Sequence, residues 1–208
     1  MTISFSGSEA QYTIHKPCAW DFIEDASFEA SQLLYHGSLA LRSPVSRSSF
    51  EAIAERSAGA IRFFDINLRA PHYTLDQVKE WMQDADWVKL NLDELKEVAG
   101  LPEIDINDIK EILAQIRADF RIKNLLLTGG AQGAVIYGDQ EYVAKIPAPS
   151  PNPMIDTVGA GDGFTAMTLN GILKGYPLGQ IIQMASSFAA QICQIQGATS
   201  RDPSFYQE

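Results

Sequence analysis

Cysteine is scarce in this sequence: its 208 residues hold two, Cys18 and Cys193, far apart, outside any CxxC pair and without a nearby pair of histidines. Neither a disulfide framework nor a zinc site is indicated, and two reduced, structural thiols are the simpler reading. Histidine is scarce as well; His15, His36 and His72 match no metal-ligand spacing and read as structural or surface residues. Basic residues are outnumbered, 16 Lys and Arg against 26 Asp and Glu, for a net charge of −10, and no run of them exceeds two residues. A nucleic-acid backbone or an anionic membrane attracts basic surfaces, so neither is expected as a partner, while a small anion in a local pocket stays compatible. Long apolar runs are missing too. None approaches the ~20 residues that cross a bilayer, and the opening MTISFSGSEA lacks the basic-then-apolar order of a secretion signal. A soluble, cytoplasmic chain is expected. Apolar residues nevertheless make up 46% of the total, ample for one large core or two small ones.

From about residue 30 onward, β-rich apolar stretches alternate with segments of helical period, the pattern of a parallel sheet assembled from βαβ units. The predicted class is α/β, with strands over 33–36, 61–65, 87–90 and 124–128. Between them, 48–58, 74–84, 92–99 and 109–118 place apolar residues three and four apart and predict helices; Thr74 followed by Gln77 has capping-box spacing. After Thr128 the pattern changes. Residues 134–137 and 142–146, joined by Gly138-Asp139-Gln140, predict an antiparallel hairpin at the edge of the sheet. Pro147, Pro149, Pro151 and Pro153 forbid regular structure, and helices are predicted again over 161–173 and 178–195. No internal repeat, charge block or interdomain linker is evident, so one domain is expected.

The segment Asp156-Thr157-Val158-Gly159-Ala160-Gly161-Asp162-Gly163-Phe164 joins the proline stretch to an apolar helix through three glycines, placing bare backbone N–H groups at a helix N-terminus. Unpaired amides and the helix dipole favour a phosphate there, and small Gly159, Ala160 and Gly161 permit its close approach. A carboxylate so placed would be repelled by a phosphate, so Asp162 either caps the helix or takes part in the reaction. As a general base it could accept the proton of an alcohol attacking a phosphoryl group held by the amides. On spacing alone, a glycine turn with an Asp cap is the simpler reading.

DTVGAGDGF resembles the signature of the ribokinase, or PfkB, family of carbohydrate and nucleoside kinases. Three further segments follow in that family's order: Phe64-Asp65-Ile66-Asn67-Leu68-Arg69 resembles FDxNxR, Asn91-Leu92-Asp93-Glu94 resembles NxxE, and Thr128 to Gly133 resembles TxGxxG. Pro44-Val45-Ser46-Arg47-Ser48-Ser49 and FDINLR lean toward the fructokinase and ketodeoxygluconokinase branch. The resemblance implies a three-layer ribokinase-like fold and ATP-dependent phosphorylation of a sugar hydroxyl. It makes Asp162 the base and gives Ala160, Gly161 and Asp162, entered through Gly159, the amides that stabilise the transferring phosphoryl. Asn91 and Glu94 would hold Mg²⁺ through water; capping by Asn91 and a solvated Glu94 is the alternative, and Asp93 faces solvent without a role. Thr128, Gly130 and Gly133 would approach ATP, or form an ordinary strand-to-hairpin turn. Asp156 and the Val158 carbonyl match positions that ligate a monovalent cation, K⁺, beside the anion hole, with the Gly197-Ala198 segment nearby; a turn cap is the alternative for Asp156. Arg69 would contact phosphate or substrate, or else make a surface salt bridge. The segment 185–192 resembles the helix bordering adenine, or is core.

By the same resemblance the chain begins where family members are a third of the way along. Residues 1–5 and 11–15 resemble lid strands around Gly7-Ser8-Glu9, and the N-terminal third, with most of the sugar site, is expected to be missing. That would leave a sheet edge for a second copy to cover, through the lid or the edge itself. A nucleotide-binding remnant that binds ATP or a partner subunit is the alternative to a working kinase.

Overall fold

The computed structural model describes residues 2–6, 9–25, 29–105, 108–139, 142–146 and 148–206. The predicted turn residues Gly7, Ser8 and Gln140, together with Pro147, lie outside the described residues. In chain order the elements are β1 (Thr2–Ser6), β2 (Glu9–Thr13), β3 (Leu33–Gly37), α1 (Pro44–Arg56), β4 (Ile61–Asp65), α2 (Leu75–Gln83), β5 (Trp87–Asn91), α3 (Leu92–Ala99), α4 (Ile109–Phe120), β6 (Asn124–Thr128), β7 (Ala134–Tyr137), β8 (Tyr142–Ile146), α5 (Ala160–Leu173) and α6 (Leu178–Ile192). Strands β1 and β2 form an antiparallel pair of their own; the other six form one sheet in the order β3-β4-β5-β6-β7-β8. Its first four strands run parallel and its last two antiparallel, the predicted hairpin.

Apolar runs in the central strands are continuous because both faces of the sheet are covered. On one face Phe64, Val88, Leu90, Leu125 and Leu127 pack with Val78 and Met82 of α2, Leu95 of α3 and Leu113 and Ile116 of α4. On the other, Phe63, Trp87, Leu126 and Ile136 pack with Phe164 of α5 and Ile181, Ile182 and Ala185 of α6. Neighbouring residues therefore serve opposite layers, as a period of two dictates, and the fold is a three-layer α/β arrangement. Among the described residues no helix is long and apolar enough to cross a membrane.

Helix ends account for most departures from the sequence pattern. Thr74 caps α2 as its spacing predicts, its Oγ1 accepting from the Gln77 amide at 3.3 Å. Helix α1 starts at Pro44, four residues before the predicted start, because Pro fits the first helical turn and the inward face there carries Ser46 and Ser49 rather than apolar residues. Helix α6 stops at Ile192 instead of 195.

Between β2 and β3 the chain is moored by a buried ion pair. Arg42 Nε and Nη2 each donate to an Asp21 carboxylate oxygen at 2.7 Å, and Nη2 also donates to the His15 carbonyl at 3.0 Å. Ser43 Oγ donates to the Asp21 carbonyl at 2.6 Å and Ser46 Oγ to that of Trp20 at 2.7 Å. The Arg42 guanidinium holds the Asp21 carboxyl below the usual carboxylate range.

Candidate active site

Ligands of open α/β sheets bind beyond the carboxyl ends of the parallel strands. Here those ends are Gly37, Asp65, Asn91 and Thr128. Beside them the 129–133 turn, the proline segment, the start of α5 and the second half of α6 enclose a cleft of about 520 Å³. Thr128, Gly130 and Gly133 line it, as do Ser186, Ala189 and Ala190 of α6 with Cys193 just beyond. Gly133 has φ 92 and ψ −150, a conformation open to glycine, which lets the turn close. Ala160, Gly161 and Phe164 bring the first turn of α5 to the same cleft. The resemblance singles out the 128–133, 156–164 and 185–192 segments but not the proline stretch, and the chain brings parts of all four together from positions up to 65 residues apart, Thr128 to Cys193.

Gly159 caps α5 in the left-handed region at φ 83, and a Cβ there would stand 2.6 Å from Ala198 Cα and 2.7 Å from Ala198 Cβ. The Ala160 amide donates to the Thr157 carbonyl at 3.2 Å and that of Gly163 to Gly159 at 2.8 Å. Those of Gly161 and Asp162 find no acceptor among the described residues, which leaves two free donors at the positive end of the helix dipole. Asp162 is exposed on this first turn, and no hydrogen bond uses its carboxylate as a cap. Tyr35 is about half exposed, and the partial burial of its ring, then the charges of Asp65 and Asp162, push its phenol up.

Asp156 does cap the turn. Its Oδ1 accepts from the Val158 amide and its Oδ2 from the Gly197 amide, both at 3.0 Å, and these bonds hold its carboxyl below the ordinary range. The amides of Ile155 and Asp156 donate to the Cys193 carbonyl at 2.8 and 3.3 Å, tying the turn to the end of α6. The stabilising contribution of a depressed carboxyl is present above its unfolded value of 3.8 and is lost as pH falls through the lower folded value. Wild type and Asp156→Asn are therefore expected to differ in urea midpoint at pH 7 and to converge as the pH is taken below 3.8. A gap independent of pH would show that the charge contributes nothing.

Asn91 and Glu94 form a reciprocal capping box on α3. Asn91 Oδ1 accepts from the Asp93 and Glu94 amides at 2.9 Å, and Glu94 Oε2 accepts from the Asn91 amide at 2.9 Å. Glu94 is not a solvated side chain: it is buried, and its Oε1 accepts from the Leu68 amide at 2.8 Å, joining the NxxE and FDxNxR segments. Burial pushes its carboxyl up, against the pull of those amides. Asp93 is exposed, as expected, and pairs with Lys96 at 3.3 Å. Arg69 is half-buried and donates to the Leu68 carbonyl at 2.9 Å.

Three residues that the sequence reading leaves without a role meet beside this site. Lys89 Nζ lies 3.0 and 2.8 Å from the two Asp65 oxygens, and Thr165 Oγ1 lies 3.2 Å from Asp65 Oδ2. The available signal was a charged residue inside each of two apolar strands, since such residues stay buried only when paired. Among the described residues no group of three His, Cys, Asp or Glu side chains is placed to hold a metal directly.

A three-layer α/β fold whose glycine-capped helix opens on an apolar cleft is a ribokinase-like arrangement. The model of the pfkB family of carbohydrate kinases matches residues 3–204, and the chain belongs to that family. A fructokinase of Klebsiella pneumoniae is 32% identical over 184 residues, 84% of this chain and 57% of that protein. Among solved structures, a fructokinase from Vibrio cholerae O395 with bound fructose, ADP and calcium superimposes with a TM-score of 0.73 at 28% identity, over 91% of this chain and 64% of that one. The aminoimidazole riboside kinase of Salmonella enterica, with aminoimidazole riboside and an ATP analogue, shares the fold with a TM-score of 0.74 at 24% identity, over 91% and 66%. The expectation of a missing N-terminal third is corrected by the family match, which begins at residue 3, within β1, and so takes in the strand pair as well as the sheet. The chain spans about half the length of the curated relatives it matches, 44%, 57% and 43% of three of them.

Proposed function

We propose that the chain transfers the terminal phosphoryl of ATP to a sugar hydroxyl, with fructose or a similar ketose or keto-acid as acceptor. The observation that carries this reading is the first turn of α5, where two amides without acceptors and an exposed Asp162 that makes no capping bond adjoin a largely apolar cleft. The fructokinase relatives support the choice of acceptor. ATP would supply the phosphoryl group, and Mg²⁺, when bound, would neutralise its charge. The Gly161 and Asp162 amides hold the phosphoryl oxygens, with Ala160 and Gly159 shaping the turn, while Thr128, Gly130, Gly133 and the small residues of α6 receive the nucleoside. Asp162 takes the acceptor's proton as its oxygen forms the new bond to phosphorus and the bond to the ADP oxygen breaks.

For Mg²⁺, Asn91 and Glu94 fit an outer role. Each Glu94 oxygen gives one lone pair to an amide and keeps one for a water on the metal, as suits a cation that retains several waters. Asp156 keeps spare lone pairs beside the Val158 carbonyl for K⁺ in the same way, and Arg69 would reach the phosphate or substrate by leaving the Leu68 carbonyl. The test is calorimetric titration with ATP and Mg²⁺, followed by ADP release with fructose and with ketodeoxygluconate. Saturable ATP binding and sugar-dependent ADP release are expected; failure to bind ATP would overturn the proposal.

A further inference from the structure

One side chain ties the first turn of α5 to the sheet. Thr165, four residues after Gly161, is buried; its Oγ1 stands 3.2 Å from Asp65 Oδ2 and 3.0 Å from the Gly161 carbonyl. A hydroxyl has one proton to donate, so the two acceptors compete for it. Asp65 has the advantage because it is charged, and hydrogen bonds to charged acceptors are roughly twice as strong as those to neutral ones. Lys89 lets it stay charged while buried. The two are register partners on β4 and β5, and Lys89 Nζ reaches both carboxylate oxygens. The proton of Thr165 therefore goes to Asp65, and a contact between residues 100 apart in the chain fixes how the turn carrying Gly161 and Asp162 sits over the end of β4.

We propose that Asp65 and Lys89, acting through Thr165, are positioning residues for the Asp162 carboxylate and for the Gly161 and Asp162 amides. The inference rests on the reading of Asp162 as the base of a sugar kinase. In-line transfer needs reacting atoms in near-attack geometry, and a displacement on the order of 1 Å costs on the order of 100-fold in rate. The nucleoside is held elsewhere, on the 129–133 turn and α6, so a shift of this turn falls on turnover more than on ATP affinity.

Thr165→Val keeps shape and loses the donor; Thr165→Ser keeps it. With fructose, Thr165→Val is expected to lower kcat about 10- to 100-fold at a KM for ATP within about twofold of wild type, and Thr165→Ser to restore the rate. Removing the ion pair whole, as Asp65→Leu with Lys89→Met, should lower kcat by a similar factor, and adding Thr165→Val to that background should cost nothing more. Amide hydrogen exchange over 159–165 should quicken about 10-fold in Thr165→Val and not in Thr165→Ser, as expected for one lost hydrogen bond. If Thr165→Val costs as much without the ion pair as with it, the hydroxyl serves only the Gly161 carbonyl and the proposal fails. It fails equally if exchange over 159–165 is unmoved. Should the wild-type chain show no sugar-dependent turnover, the kinase reading is what has failed, and the exchange measurement decides the positioning claim without it.

Discussion

Asp162→Asn is expected to lower sugar-dependent ADP release about 10³-fold, roughly 4 kcal/mol of barrier, while ATP binds as tightly as before or tighter. The amide matches the carboxylate in size and cannot take the hydroxyl proton. Asp162 is exposed and makes no capping bond, so its replacement removes no contact that supports α5. What changes for ATP is the loss of a negative charge beside the phosphoryl site, which can only favour binding. Turnover measured against fructose, with ATP affinity by calorimetry, separates the two effects. Retention of most of the turnover would mean that Asp162 is not the base.

Gly159→Ala is expected to reduce folding stability by about 3 kcal/mol and to abolish measurable ATP binding. A left-handed residue with a side chain costs about 1–2 kcal/mol, and forcing a methyl group into filled space costs typically 1–3 kcal/mol more. Both apply, since the added Cβ would lie 2.6 Å from Ala198 Cα in a residue held at φ 83. Relief requires the 197–198 segment to move away. That would break the bond from the Gly197 amide to Asp156 and loosen the turn that sets the α5 amides. Gly161, with nothing within 4 Å of its added Cβ, is the internal control: Gly161→Ala should fold normally. Equal urea midpoints for Gly159→Ala and wild type would show that the segment yields freely.

The strands were legible because each apolar run serves two layers at once. Phe63 and Phe64, or Trp87 and Val88, send neighbouring side chains to opposite cores, and the run stays apolar throughout. Glycine spacing likewise made the DTVGAGDGF turn legible, since a conformation such as that of Gly159 excludes most other residues. The start of α1 was hidden because its inward face is serine, and Ser46 spends its hydroxyl on the Trp20 carbonyl rather than on apolar packing. The solvated alternative for Glu94 fails, and Asp65 carries no assigned role, for one shared reason. A lone carboxylate in sequence reads as solvent-facing, and only the pairing of strands and caps reveals the amides and the lysine that let it be buried.

The order of strands in the six-stranded sheet is the order of the chain, β3 to β8, without insertion of a later strand between two earlier ones. Each strand can therefore join an edge already present as the chain is synthesised, across helical crossovers in the parallel part and across short turns at β6-β7 and β7-β8. The cleft cannot form that way. One wall comes from the start of α5, another from α6, and the bond from Thr165 must reach back 100 residues to Asp65. The cleft is thus completed only when the last two helices dock on the face of the sheet that carries Phe63, Trp87, Leu126 and Ile136. Of the parts described here, α5 and α6 should be the first lost and the last regained when the chain is unfolded and refolded.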